Sequence, residues 1–453
     1  MDALIVIFIT GLASLFISFT KKPILVLATA LIGLLTSAIL LCRQWDVPVT
    51  LFNYKGLLFD QTAIGYSIVA ILFATLAILT GYKTFKEQEE HLGDFTALLL
   101  FSLSGALCMF AFTDLFMFFL GLEILSIPIY VMAGTNKKNI LSSEASIKYF
   151  LTGAFATGVL LFGIAWLYAG LGSFDITVIG MKLNAMTEYS SLIKIGILLI
   201  LAAFLFKVGA APFHFWSPDV YAGSPTVVTG FMAAVVKVGA FGAFIKLFSF
   251  CFPALHEFWS PALVVLAVIT MFVGNLSALG QLTFKRLLAY SSITHVGYAL
   301  LAILSQDVSS SKNLLFYLFA YGFSVIALIT VAMLLNDKED KLEAFKGLAK
   351  RNPLIGFITV LALLSLAGVP PLVGFFGKYL IFAGAISKFP VLVIIAIINS
   401  GIGIYYYLKT VMLVVSSDKH EDELKLNVTK LQYFVLIVCM IGLLLGGMFI
   451  SKL

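Results

Sequence analysis

Charge is scarce in this sequence. Asp, Glu, Lys and Arg make up 11% of its 453 residues, against 61% hydrophobic residues and a mean hydropathy of +1.07. A soluble domain is about a quarter charged, and a single water-soluble core stops growing near roughly 300 residues. Lipid, not a soluble core, absorbs this much apolar surface. Cysteine is scarce too. Cys42, Cys108, Cys251 and Cys439 stand alone in apolar stretches with no C-x-x-C spacing, so no zinc site, iron–sulfur cluster or disulfide framework is expected. No G-x-G-x-x-G follows a strand pattern, so no dinucleotide-binding unit is expected. The opening run MDALIVIFITGLASLFISF lacks a basic n-region and a small-residue cleavage site; it reads as a first membrane span rather than a removable signal.

What is present is a succession of apolar runs, each long enough to cross about 30 Å of hydrocarbon as a helix. They fall near 2–19, 23–43, 61–81, 94–111, 114–133, 145–171, 191–215, 226–250, 260–281, 286–304, 313–335, 353–386, 390–413 and 430–450. Continuous apolarity excludes barrel strands, which alternate every second residue. The chain is therefore expected to be an all-α polytopic membrane protein of about fourteen spans, with both termini on one side. The 29 Lys+Arg against 23 Asp+Glu leave a net charge of +6, but the basic residues sit singly or in pairs between spans. That placement describes topology rather than a nucleic-acid surface. With the N-terminus outside, eighteen basic residues fall in cytoplasmic loops and eight on the other side, which favours both termini out.

The remaining three, Lys207, Lys237 and Lys378, lie inside spans, as does Glu123. Four such residues carry an insertion penalty on the order of 10 kcal/mol before compensation. They must face a bundle interior or water. Snorkelling to an interface is the bland alternative, but Lys207 and Lys237 each follow at least ten mostly apolar residues. A Glu–Lys pair that can separate is a proton switch, because loosening it lets the lysine release its proton.

Two of the spans are broken. In LFKVGAAPFHFWSPDVYAGSPT, Pro212 cannot donate to the carbonyl of Val208; in LSLAGVPPLVGFFGK, Pro370 and Pro371 free those of Leu366 and Ala367. Irregular backbone at membrane depth persists only where protein or water satisfies it, and paired breaks in a transporter-like chain point to the ion site. Aligning Gly209 with Gly368 sets the breaks 159 residues apart. This divides the chain into an N-terminal segment 1–93, five-helix repeats 94–250 and 251–413, and a last segment 414–453. Five being odd, the repeats are inverted relative to each other.

Histidine titrates near neutral pH and relays protons. His295, in RLLAYSSITHVGYALL, has Ser291, Ser292, Thr294 and Tyr298 beside it, and His214 lies two turns beyond Lys207; a hydrogen-bonded structural role is the alternative for both. His91, His256 and His420 fall in loops and are read as uninvolved. Glu144 and Lys148 are spaced for a helix-end salt bridge or a role in proton uptake, while Asp114 and Asp219 are expected to cap helices. The spacings Gly442–Gly446 and Ala154–Gly158 suit close helix packing.

Glu123 in FFLGLEILSIPIYVM, Lys207 in FLFKVGAAPFHFW, Lys237 in GFMAAVVKVGAF and Lys378 in GFFGKYLIF, with AAPFHFWSPDVYAGSPT and RLLAYSSITHVGY, resemble the Mrp-antiporter-like family shared by complex I and Mrp antiporters. The resemblance extends over essentially the whole chain. Within it the subunit N branch of NADH-quinone oxidoreductase fits best, through SSEASIKYFLTGAFATG at 142–158; the chain length argues against subunit L and lysine at 378 against subunit M. Ser224, where the family suggests alanine, is a small-for-small departure. The resemblance implies that Glu123 pairs with Lys207 and modulates it, that Lys237 is the central carrier, that His295 lies between the halves and that Lys378 passes the proton outward. It implies neighbours of the subunit M, K and J kinds, and lipid. It places NADH, FMN, iron–sulfur clusters and quinone on other subunits, with no cofactor or metal on this chain. A bacterial inner membrane fits best. The rival readings are a cation/proton antiporter subunit without a redox partner and a membrane scaffold.

Overall fold

The structure, a computed structural model, describes residues 2–45, 55–86, 92–337, 339–416 and 426–449. His91 and His420, and Lys338, Lys419, Lys425 and Lys452 of the charge count, lie outside the described residues. The helices are α1 (Asp2–Ser18), α2 (Pro23–Arg43), α3 (Gln61–Lys86), α4 (Leu92–Ala111), α5 (Leu115–Ala133), α6 (Ile140–Leu171), α7 (Ile176–Ala185), α8 (Ser191–Val208), α9 (Trp216–Gly223), α10 (Thr226–Phe231), α11 (Lys237–Lys246), α12 (His256–Leu279), α13 (Phe284–Ser305), α14 (Ser310–Leu335), α15 (Leu348–Arg351), α16 (Pro353–Ala367), α17 (Val373–Ala385), α18 (Pro390–Val415) and α19 (Lys430–Leu445). A π-helical turn, Met232–Val236, joins α10 to α11, and a second, Leu247–Cys251, follows α11. The fold is a bundle of membrane-crossing helices, as expected. Among the described residues, twelve helical stretches are long and apolar enough to cross a membrane; α1, at 17 residues, and the broken pair α16/α17 account for the other two expected spans.

Side chains set the helix ends where the backbone leaves lipid and its first N–H groups need partners. Asp114 caps α5 by accepting from the Met117 N–H at 2.7 Å, Asn352 caps α16, and Thr429 with Gln432 forms a capping box on α19. Two elements differ from expectation. Helix α6 starts at Ile140 rather than 145, because Asn139 caps it and its first turns carry the polar Ser142, Ser143 and Glu144 that apolarity alone passes over. Helix α7 was not foreseen; Asp175 caps it, and at ten residues it is too short to span.

Polarity sorts the helices. All of the apolar window within Thr226–Cys251 is buried, and 94% of that in α13, whereas α6 turns Ile147, Phe150, Leu151 and Phe155 outward. The helices that carry Lys237 and His295 are thus the most enclosed in the bundle. Gly442 and Gly446 let α19 approach Phe323 and Val373, but Gly158 faces open space.

The two breaks are built alike. Gly209 ends α8 at φ +76° and Gly368 ends α16 at φ +85°, a left-handed conformation that favours glycine. The Ala210 N–H donates to Leu205 O at 2.8 Å and the Val369 N–H to Leu364 O at 3.0 Å, the same pattern 159 residues apart. Pro212 and Pro371, both after cis peptides, share that offset.

Candidate functional site

Lys207, in the last turn of α8, extends its Nζ to the Ser126 Oγ of α5 at 2.5 Å and lies 5.7 and 5.8 Å from the ring centres of Tyr130 and Tyr149. Ser126 donates in turn to the Leu122 carbonyl. The expected direct pairing with Glu123 is not there: among the described residues no carboxylate lies within 4 Å of Lys207. Glu123 and Ser126 are neighbours at i, i+3 on α5, and the amine takes the hydroxyl. Half-buried Glu123 acts on Lys207 through space.

Lys237 projects from the junction of the π-helical turn with α11. Such turns leave the helix out of register and recur at functional positions. Its Nζ donates to the Ser292 Oγ and to the Ser292 carbonyl at 2.9 Å, and lies 5.3 Å from the Tyr321 ring centre on α14. Lys378, on α17 just beyond the second break, donates to Ala367 O at 3.0 Å and to the Ser400 Oγ of α18 at 2.9 Å, 5.1 Å from the Tyr298 ring centre. One of the carbonyls freed by the proline pair is therefore taken by the lysine itself. At the first break the Trp216 indole N–H donates at 3.1 Å to Phe206 O, which also accepts from the Gly209 N–H.

His295 shares an aromatic neighbour with each amine, its ring centre 5.0 Å from that of Tyr321 and 5.6 Å from that of Tyr298. Its Nδ1 is 2.6 Å from the Tyr317 Oη and its Nε2 3.1 Å from the Tyr407 Oη, which also bonds the Ser291 Oγ. Beside it, Asn275 of α12 donates to Asn399 O at 2.8 Å and accepts from the Tyr406 Oη at 3.1 Å and the Thr294 Oγ1 at 3.3 Å. The structure thus gathers Lys237, His295 and Lys378 around one buried polar cluster and sets Lys207 with Glu123 apart, on the α5 side. His214 joins neither group. The break turns the chain before it, and its ring lies against Phe215, 4.7 Å between centres. His256 opens α12 rather than lying in a loop, and it bonds Leu304 O at 3.0 Å near the end of α13.

At the face where α6 and α13 begin, Glu144, Lys148, Asp219 and Arg286 form one chain of ion pairs. The contacts are 2.5 Å for Glu144–Lys148, 2.7 Å for Lys148–Asp219 and 2.9 Å for Arg286–Asp219. Asp219, expected to cap a helix, does not cap α9; it ties α9 to α6 and α13. Glu144, Asp219, Lys285, Arg286 and Asp340 line a cavity of about 490 Å³ there. At the opposite face Lys246, one of the eight basic residues assigned to the outer side, is partly buried, donating to Phe110 O at 2.8 Å beside a cavity of about 310 Å³.

Sequence reasoning missed Ser126, Tyr317, Tyr321, Tyr407 and Ser400. The only signal was polarity inside a span: Asn399, Ser400 and Tyr405–Tyr407 interrupt the run 390–413. Chemically, the assembly is a line of amines, hydroxyls, phenols and one imidazole in a low-dielectric bundle. Each of these groups carries an exchangeable proton.

Residues 113–403, more than half of the chain, match the family described as NADH:quinone oxidoreductase/Mrp antiporter, transmembrane. The chain is 39% identical over 425 residues to the NADH-quinone oxidoreductase subunit N of Cytophaga hutchinsonii, covering 92% of this chain and 91% of that one. It is 34% identical over 458 residues to the subunit N of Flavobacterium psychrophilum, covering 99% and 98%. In three dimensions it is similar to a chain of respiratory complex I from Thermus thermophilus, with a TM-score of 0.86, 30% identity, and 99% of this chain and 98% of that chain covered.

Proposed function

The chain belongs to the NADH:quinone oxidoreductase/Mrp antiporter membrane family, and from that premise we propose that it is a proton-translocating, antiporter-like subunit, of the N type, in a respiratory NADH:quinone oxidoreductase. The observation that carries this is the state of its buried lysines. Lys207, Lys237 and Lys378 are each buried, each is held by a serine hydroxyl and an aromatic face, the last two by a carbonyl as well, and no carboxylate lies within 4 Å among the described residues. A scaffold charge would be fixed by a close ion pair, since an unpaired charge in the membrane is expensive. An amine without that anchor is free to gain and lose its proton.

On this reading protons are taken up at the Glu144–Lys148–Asp219–Arg286 mouth, Glu123 modulates Lys207, Lys237 is the central carrier, and His295 hands on to Lys378 and the far side. Residues 94–250 and 251–413 form inverted five-helix repeats, a division supported by the matched construction of the two breaks. The protein is a multi-pass membrane protein of the inner membrane, with both termini periplasmic. NADH, FMN, iron–sulfur clusters and quinone belong to other subunits, and the neighbours are of the M, K and J kinds. Relatives named as oxidoreductase subunits favour this over a cation/proton antiporter without a redox partner.

The test is purification in mild detergent followed by reconstitution. NADH-oxidising subunits accompany the chain, and Lys237→Ala depresses NADH-driven proton pumping at least about tenfold in an assembled complex. Near-normal pumping in that variant would sink the proposal. Sodium-dependent proton flux without any NADH-dependent activity would favour the antiporter alternative.

A further inference from the structure

His295 is gripped at both ring nitrogens by phenols from different helices, Tyr317 on α14 at Nδ1 and Tyr407 on α18 at Nε2. All three side chains are buried, with exposures of 5%, 3% and 1%. The two grips lead in different directions. Tyr407 bonds the Ser291 Oγ, next in sequence to Ser292, which holds the Lys237 amine. Tyr317 has its own ring-side hydroxyl 3.3 Å from His295 O. With Ser324, Ser365 and Gly374 it lines a small cavity of about 10 Å³ at the α16/α17 break, where Lys378 sits on Ala367 O. That is room for about one water molecule.

A neutral imidazole offers one donor and one acceptor, and this site satisfies both tautomers completely. With the proton on Nδ1, the ring donates to Tyr317, Tyr317 donates to His295 O, Tyr407 donates to Nε2 and Ser291 donates to Tyr407. With the proton on Nε2, every one of those bonds reverses except the Tyr317 hydroxyl, which turns from the carbonyl to Nδ1. A doubly protonated ring is disfavoured here, because both nitrogens face neutral phenols and no carboxylate among the described residues pairs with the ring, and a buried charge without a partner is costly.

We propose that Tyr407 and Tyr317 are the positioning residues of a tautomer relay, in which His295 passes protons from the Lys237 side to the break beside Lys378 without becoming an imidazolium. This rests on the proton path proposed above and adds the groups that carry its central step. In one pass a proton reaches Tyr407 through Ser291 as the Tyr407 O–H bond breaks towards Nε2. The Nδ1–H bond breaks towards Tyr317, and the Tyr317 proton leaves into the cavity. Each bond broken is matched by one formed, one proton enters and one leaves, and no electron moves. The ring ends protonated at Nε2, and it resets without a back-transfer when the imidazole lets go of both phenols and turns about its side-chain bonds, so that the protonated nitrogen faces Tyr317 and the bare one Tyr407.

The experiment uses the whole complex in proteoliposomes, with assembly checked on native gels and pumping followed in H2O and D2O. Tyr317→Phe and Tyr407→Phe are expected to cut pumping at least about threefold while raising its solvent isotope effect, a change that loss of packing alone would not produce. Each Phe change combined with His295→Gln is expected to be no worse than His295→Gln alone. Pumping at the parental rate in both Phe variants, with His295→Gln impaired, overturns the relay but leaves the wider path standing. Parental pumping in His295→Gln overturns the wider reading of His295 itself. Where a Phe variant does not assemble, 3-fluorotyrosine at the same position keeps the shape and shifts only the hydroxyl acidity; an altered pumping rate supports the relay and an unaltered one overturns it.

Discussion

Lys207 shows how much depends on a single hydroxyl. The amine has three donors, and the Ser126 Oγ at 2.5 Å is its one hydrogen-bond acceptor among the described residues, the Tyr130 and Tyr149 faces supplying the rest of its environment. Hydrogen bonds to charged groups contribute about 1.5–3 kcal/mol. Ser126→Ala is therefore expected to slow proton pumping roughly tenfold or more, while Glu123→Gln, which removes a charge acting only through space, has the smaller effect. Pumping measured in proteoliposomes decides it; a Ser126→Ala complex that pumps like its parent means the contact is not used. The lysines were legible in the sequence because a charge in an apolar run has no cheap explanation. Ser126, Tyr317 and Tyr407 were not, because serine and tyrosine enter membrane helices at little cost and acquire meaning only from a partner on another helix. The same blindness produced the expected Glu123–Lys207 pair: composition names an acid and a base, but which atom the amine reaches is set by the stagger of α5 against α8.

Among elements, the two helix breaks invite a paired comparison. Both glycines have left-handed φ, where an L-residue costs roughly 1–2 kcal/mol. A Cβ on Gly209 would meet nothing closer than 3.8 Å, whereas one on Gly368 would stand 3.1 Å from the Lys378 Cδ and 3.3 Å from its Nζ. Gly209→Ala is expected to lower the thermal midpoint with little loss of pumping, and Gly368→Ala to lower both; equal pumping in the two would show that the Lys378 position does not matter. A second element is secured from outside itself. The Lys285 N–H, in the first turn of α13, donates to the Asp340 Oδ2 at 2.7 Å, and the Phe284 N–H to Asp340 O at 2.7 Å. Burial pushes the Asp340 carboxyl up, with the Lys285 amine pulling the other way. A pKa raised on folding contributes stability that is present at low pH and lost as pH rises through the folded value. Asp340→Asn keeps an acceptor and removes that loss, so its thermal midpoint should match or exceed the parent's at neutral pH and vary less with pH from about 4 upward. Asp340→Ala loses the cap and about 1 kcal/mol. Thermal unfolding in detergent across that range separates the three. The breaks were legible because proline and glycine punctuate any helix. Helix α7 and this borrowed cap were not, since neither leaves a long apolar run or a local capping pattern.

For the whole molecule, alternation of the spans fixes which loops share a face, independently of which face meets the cytoplasm. Following the chain, Lys182 after α7's first turns and Lys388 before α18 fall on the face where α1 begins; Lys137 before α6 and Lys350 before α16 fall on the other. All four are exposed. The count of basic residues was legible without any structure, because the membrane potential and insertion machinery read lysine and arginine directly. Its result assigns Lys137 and Lys350 to the cytoplasm. Of the four cysteines, Cys42 alone is exposed, so a Cys42→Ser background allows clean labelling. In intact cells a membrane-impermeant maleimide should then react with Lys182→Cys and Lys388→Cys, and with Lys137→Cys and Lys350→Cys only after the membrane is opened. The reverse pattern would turn the molecule over and place the Glu144–Lys148–Asp219–Arg286 mouth on the outside, making it a site of proton release. A mixed pattern, with members of one pair behaving differently, would break the span alternation itself. The labelling therefore tests the direction of the proton path by a measurement that needs neither turnover nor an assembled electron-transfer chain.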